Sequence, residues 1–434
     1  MQVAARRGSA DDFELSKVVV SGMTPSSVIE FLIWLLFAAA IIAMLAKRLS
    51  VPYTVSLVVG GLLLGVIRIP ISTLSPLQAG HRPDWLTPDM ILILFLPALV
   101  FEGSVKLDVR DLIRNSVPLL LLANAGVLLA ALVTGYLVHW LIGLPLLIAL
   151  LFGSIISATD PISVLAIFKD LSVDKRLSLI MEGESLLNDG TAVVLFGILV
   201  GAVVAEKLSV PRGVEQYVVA VVGGAILGST LGYLASRMTE SADDPQVEIT
   251  LTTILAYGSY LFAYHLHLSG VIATASAGLM LGNFGSKNGI SPRARTAMQS
   301  FWEHISFVMN SLVFLLIGLE IHVRELLQNW PSVLLAIGAV LLGRVLSVYL
   351  LVPLSNRFAG KIPFRWQHVA VWGGLRGALA LALALSLNST FPYREQILNL
   401  TFGVVIFSIL VQGLTIKPLV KLLRLANGAH ATPA

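Results

Sequence analysis

Two short stretches hold the residues whose types and spacing could do chemistry: Ser157-Ala158-Thr159-Asp160-Pro161 and, after a basic loop, Glu182-Gly183-Glu184-Ser185-Leu186-Leu187-Asn188-Asp189-Gly190-Thr191. Ser185, Asn188 and Asp189 recur at i, i+3 and i+4 and so share one face of a helix, with Glu184 and Asn188 paired on the adjoining flank. One turn thereby presents two carboxylates, an amide and a hydroxyl, all oxygen donors suited to a hard cation. Pro161 lacks an N–H and disfavours helical geometry in the residue before it. A helix should therefore open around Asp160, freeing backbone carbonyls such as that of Thr159 as further cation ligands. Asp160 could also cap a helix restarting at Pro161, a good first helical residue, and the two roles are compatible. Glu182 and Glu184 could complement the positive end of a helix dipole. That reading suits Glu182, and suits Asp189 poorly, about three turns in from Leu177.

The elements that must position these groups are apolar. Of 434 residues, 56% are hydrophobic and 12% charged, against about 25% charged in ordinary soluble domains. Repeated apolar runs of about 20 residues, each long enough to cross roughly 30 Å of hydrocarbon as a helix, mark an all-α polytopic membrane protein. A transmembrane barrel would instead show strands of about 10 residues with alternating polarity. A charge at the centre of a membrane helix costs roughly 2.5–3.5 kcal/mol, so Asp160, Glu184 and Asp189 together point to an ion or proton pathway. The chain has no Cys, which excludes disulfides, cysteine nucleophiles and thiolate metal sites. There is no Walker Gly-Lys-Ser/Thr and hence no sign of ATP use. The net charge of +4 is explained by basic loops rather than by nucleic acid. No cofactor is expected.

About thirteen spans are expected, over roughly 28–46, 52–68, 89–105, 117–140, 145–168, 177–204, 215–236, 248–266, 269–284, 298–319, 330–352, 366–387 and 397–416. Residues 1–27 read as a loose N-terminal tail without a signal-peptide cleavage site, and 417–434 as a short C-terminal tail. One set of alternate loops, including Lys47, Arg48, Lys106, Lys169, Lys175, Arg176, Arg357, Lys361 and Lys417, holds twice as many basic residues as the other. The positive-inside bias places the N-terminus outside and the C-terminus in the cytoplasm of a cell (inner) membrane protein. Only Arg344 and Arg376, of 29 basic residues, fall inside spans. An arginine cannot be deprotonated, so each needs a buried counter-charge, for which Glu184 and Asp160 are the candidates.

An odd number of spans permits an internal duplication, with spans 1 to 6 and 8 to 13 as inverted repeats joined by span 7. Span 5 carries the Thr-Asp-Pro interruption, and its counterpart, span 12, carries Gly373-Gly374-Leu375-Arg376-Gly377. Two interrupted spans at corresponding positions of inverted halves mark a secondary transporter's binding site, where the discontinuous helices cross near the midplane. Glu102, near the end of span 3, could reach the interface beside Lys106 or serve the site.

The motifs SATDPI, EGESLLNDGTA and GGLRGALALALAL, in this order and separation, resemble the NhaP-type Na⁺/H⁺ antiporters, the electroneutral branch of the monovalent cation/proton antiporter superfamily. The resemblance covers essentially the whole membrane region. It implies a transport bundle formed by helices 4–6 (117–204) and 11–13 (330–416). Helices 1–3 (28–105) and 7–10 (215–319) would form an interface and linker domain that makes a homodimer. It further implies that Na⁺ is held by Asp189, Ser185 and the Thr159 carbonyl, and, directly or through water, by Asp160 and Glu102. Asn188 would steady the unwound chain, Glu184 would pair with Arg344, and Arg376 would sit at the helix crossing. Regulation by partner proteins through a long cytoplasmic tail, as in the eukaryotic relatives, is not expected.

Removal from water favours a protonated carboxyl and a bound cation favours the ionised one, so proton and Na⁺ compete for such a site. With uncharged Asn at 188, the Asn188-Asp189 pair changes by one charge, which predicts one-for-one exchange of Na⁺ (or Li⁺) for H⁺. The alternatives are a K⁺/H⁺ antiporter of the same fold and a passive cation channel, which would need no broken helix pair. An enzyme is not expected: an intramembrane aspartyl protease also needs two Asp, here Asp160 and Asp189, but its Tyr-Asp and Gly-Leu-Gly-Asp contexts are missing.

Overall fold

The computed structural model describes residues 25–49, 51–66, 88–240, 244–285, 292–321, 323–388 and 390–426. Arg68, Arg82 and nearly all of the expected N-terminal tail lie outside them. The described chain is helical, without strands, and each of the thirteen apolar segments coincides with one helix or with consecutive helical pieces. Among the described residues, seven helical stretches are long and apolar enough to cross a membrane; the other segments are shorter, less apolar or divided.

Capping fixes several starts. Asp108 accepts a hydrogen bond from Arg110 N (2.7 Å), Asp174 from Arg176 N (2.7 Å) and Asp244 from Gln246 N (2.8 Å), each satisfying an N–H that the first turn leaves free. In chain order the helices are α1 (Pro25–Leu49), α2 (Tyr53–Val66), α3 (Pro88–Lys106), α4 (Val109–Arg114), α5 (Ser116–Leu120), α6 (Val127–Ile142), α7 (Leu146–Ile155), α8 (Ile162–Asp170), α9 (Lys175–Val204) and α10 (Val210–Thr239). They continue as α11 (Pro245–His265), α12 (Gly270–Met280), α13 (Pro292–Leu319), α14 (Val323–Gln328), α15 (Trp330–Ser355), α16 (Phe364–Trp372), α17 (Ala378–Leu385), α18 (Arg394–Phe407) and α19 (Gly413–Leu422). Three π-helical segments, Leu121–Gly126, Leu281–Gly285 and Ser408–Gln412, join α5 to α6, follow α12 and join α18 to α19.

The last helix runs past the span boundary expected at 416. Helix α19 carries on to Leu422, with Ile416 and Val420 buried at i and i+4 while Lys417 and Lys421 point outward. That amphipathic turn keeps the chain helical beyond the apolar run that set the expected boundary at 416.

Packing sorts the helices into two groups. In one, α2 lies along α13, α3 along α12 and α13, and α12 along α10 and α11; in the other, α6 packs against α7 and α15, α7 against α9, and α17 against α18. The groups meet mainly where α9 contacts α10 and α12 and where α17 contacts α3 and α13. Close approach within the first group depends on small residues. A Cβ at Gly228 would collide with the Ala273 backbone, and Gly224 and Gly232, one turn away on either side, face Ser269 and Ala277 in the same way. Such a stripe brings helix backbones together where lipid offers no hydrophobic drive. One apolar cluster runs across both groups, joining Phe152, Ile155, Ile156 and the Leu379–Ala384 run to Leu57, Phe95 and Phe314. Another, within the second group, gathers Phe168, Leu177, Ile180, Val348, Val369 and Ile416 on the side of the basic loops.

Candidate cation site

Helix α7 ends at Ile155 and α8 begins at Ile162; α16 ends at Trp372 and α17 begins at Ala378. The two non-helical stretches lie against each other. Asp160 N donates to Leu375 O at 2.7 Å, and Arg376 Nη1 donates to Ser157 O (2.7 Å) and Ala158 O (3.1 Å). A Cβ at Gly377 would fall on the Asp160 carboxylate, so only glycine lets these strands of backbone approach. The second break is held from behind by the π segment: Ser408 Oγ accepts from Arg376 N (2.8 Å) and donates to Gln412 Oε1 (2.7 Å), while Gln412 Nε2 donates to Trp372 O (3.2 Å).

Helix α9 runs past the first break and ties it down. Asn188 Nδ2 donates to Thr159 Oγ1 (2.7 Å), Thr159 N donates to Asn188 Oδ1 (3.4 Å), and Ser185 Oγ donates to Thr159 O (2.5 Å). Asn188, Ser185 and Thr159 are buried. Asp160 does cap α8, accepting from Ile162 N at 3.0 Å through Oδ1, and it lines a cavity as well. That cavity, about 340 Å³, is lined by Thr159, Asp160, Ser185, Asp189, Glu102 and Glu182, and its wall is completed by apolar side chains of α3, by α13 and by the start of α17. Asp189 is half-buried, and its carboxylate has no hydrogen-bond or ion-pair partner among the described residues.

The buried arginines behave differently from each other. Arg344 on α15 makes a bidentate pair with Glu184, Nη1 to Oε1 at 2.5 Å and Nη2 to Oε2 at 2.9 Å, and also donates to Ala370 O from Nε (3.2 Å) and Nη2 (2.9 Å). Asp160 was the candidate counter-charge left for Arg376, and the structure corrects that expectation. Arg376 rests on carbonyls at the C-terminal end of α7, and among the described residues no carboxylate lies within ion-pair distance of it. The freed carbonyls carry the partial negative charge of a helix end, which substitutes for a full counter-ion.

Two further readings shift. Glu182 is not a helix-start residue: α9 begins at Lys175 with Asp174 as its cap, and the dipole's effect fades within the first turn. Glu182 instead lines the cavity beside Glu102. Glu102 lies on the cavity wall, but its carboxylate pairs with Lys106, which also reaches Glu303 at 3.1 Å. Ser306 and Asn310 on α13 line the cavity too and were not singled out from the sequence. Their i, i+4 spacing, in a span that also carries Glu303, His304 and Ser311, was the available signal, as was that of Ser408 and Gln412 in the last one.

The arrangement offers a small cation several oxygens around one cavity, the carboxylates of Asp189 and Asp160 among them. The family description "Sodium/hydrogen exchanger, transmembrane" matches residues 35–422. The Na⁺/H⁺ antiporter NhaG of Bacillus atrophaeus is 41% identical over 387 residues, covering 88% of this chain and 72% of that protein. The Na⁺/H⁺ antiporter NhaH of Halobacillus aidingensis is 40% identical over 402 residues, covering 92% and 98%. Among solved structures, the sodium proton antiporter MjNhaP1 of Methanocaldococcus jannaschii at pH 8 superposes with a TM-score of 0.73 at 19% identity, over 92% of this chain and 99% of that one, and shares its fold. The chain is a multi-pass membrane protein belonging to the sodium/hydrogen exchanger family.

Proposed function

We propose that this protein is a secondary transporter that exchanges Na⁺ (or Li⁺) for H⁺ one for one, with both competing for Asp189. The observation that carries the reading is the Asp189 carboxylate. It stands without a polar partner among the described residues, on a helix otherwise tied down by hydrogen bonds, and opens into a cavity shared with Asp160, Ser185 and Thr159. Na⁺ would be held by Asp189, Ser185 and the Thr159 carbonyl, with Asp160 and Glu102 contributing directly or through water. Asn188 holds the unwound chain, Glu184 with Arg344 fixes α9 to α15, and Arg376 steadies the crossing of the two breaks.

Exchange follows from charge. An empty, ionised Asp189 is too costly to carry through hydrocarbon, so the bundle crosses only with Na⁺ or H⁺ aboard. Asn188 stays neutral in both forms, so each half-cycle moves one charge in opposite directions and none is left over. The cavity shares Leu165 and Glu182 with a groove lined by Lys106, Arg114, Lys169, Lys175 and Arg176. Basic loops face the cytoplasm, which supports a conformation open inward, an external N-terminus and a cytoplasmic C-terminus in a cell membrane. The bundle comprises 117–204 and 330–416, within thirteen crossings arranged as inverted halves, and the remaining helices join two copies as a homodimer. The transporter works without ATP, cofactor or nucleic acid, and is not an enzyme.

The test is a dye-based exchange assay in proteoliposomes with Na⁺, Li⁺ and K⁺ over a range of pH, paired with current recording on supported membranes. Na⁺ pulses are expected to drive opposite proton movement without sustained current. A sustained current tied to the Na⁺ gradient contradicts one-for-one exchange, and Na⁺ flux with no counter-movement of protons indicates a channel.

A further inference from the structure

The cavity wall facing the bundle is built in part by α13, and the polar side chains it contributes are Ser306 and Asn310, one turn apart. They are only 9% and 6% exposed. Asn310 Nδ2 donates to Ser306 Oγ at 3.3 Å, which fixes the orientation of the amide. Its Oδ1 is buried and has no hydrogen-bond partner among the described residues. An unmatched buried carbonyl is destabilising and calls for a reason. The neighbouring Leu312, Val313, Phe314 and Leu315 pack into the apolar core, so the fold itself gives Asn310 no purpose that a Leu would not serve.

Resting on the exchange reading above, we propose that Asn310, with Ser306, is a second cation-binding position that receives a partly hydrated alkali cation and passes it to Asp189. An amide carbonyl and a hydroxyl are hard, neutral oxygen donors. They can replace water around Na⁺ without the full charge that would hold it fast. Helix α13 belongs to the group that does not carry Asp189, so this contact exists while the site faces this side and is left behind when α9 moves. The position therefore acts in capture and not in translocation.

Asn310→Leu is expected to raise the Na⁺ concentration for half-maximal exchange about tenfold, with the maximal rate at saturating Na⁺ and the melting temperature kept. Asn310→Asp retains the oxygen and is expected to leave the half-saturating concentration at or below the wild-type value. An unchanged half-saturation in Asn310→Leu overturns the proposal, as does a parallel rise in both variants, which is what a packing defect produces. If Asn310→Leu does not fold, the direction of the shift in Asn310→Asp decides alone. Wild-type protein that exchanges no Na⁺ removes the transport reading itself, and this position with it, and is told apart by the control lane.

Discussion

Asp189→Asn is expected to abolish Na⁺-dependent proton movement in reconstituted vesicles while leaving the protein folded and inserted. The substitution is nearly isosteric, and Asp189 makes no hydrogen bond or ion pair to a described residue, so no contact that holds α9 in place is lost. The contacts that do so belong to Ser185, Asn188 and Glu184. Removing a carboxylate from a membrane helix eases insertion by up to about 3 kcal/mol. What disappears is the carboxylate at which the proposed exchange of a proton for a cation takes place. Exchange at the level of protein-free vesicles, with an unaltered melting curve, is the expected pair of results. Retained Na⁺-dependent proton movement would assign the exchange to another carboxylate, Asp160 being the nearest candidate in the cavity.

Arg344→Ala is expected to act on stability instead. Arg344 links α15, α9 and α16 through Glu184 and Ala370, and its partner Glu184 is 1% exposed. Truncation leaves a buried carboxylate without its counter-charge, a loss of roughly 3–5 kcal/mol. The double variant Glu184→Leu/Arg344→Met should recover most of that, because replacing both members of a buried pair by apolar groups is often neutral or stabilising. Thermal melts in detergent measure both. If Arg344→Ala melts like the wild type but does not transport, the arginine serves the transport step and not the scaffold.

How far the sequence carries toward this picture depends on whether the relevant contact is local. Ser185, Asn188 and Asp189 announce themselves because their spacing matches one helical face and their surroundings are apolar. Pro161 and the glycines at 373, 374 and 377 mark chain that does not stay helical, and the composition alone dictates a helical membrane protein. Partners distant in the chain were harder to read. Arg376 meets carbonyls at 157 and 158 rather than a carboxylate, a choice that only the packing of the two breaks decides. Glu182 looked like a dipole partner because the start of α9 at Lys175 depends on Asp174 as a cap. Ser306, Asn310, Ser408 and Gln412 are uncharged polar residues in membrane spans, and each gains meaning only from the element it faces. The π segments leave no pattern in hydrophobic periodicity at all.

The competition at Asp189 is tested most directly by adding Na⁺ to purified protein in weakly buffered detergent solution and recording the proton release. Close to one proton released per Na⁺ bound, falling to none in Asp189→Asn, is the expected result. Na⁺ binding without proton release, or the same release from Asp189→Asn, would contradict it.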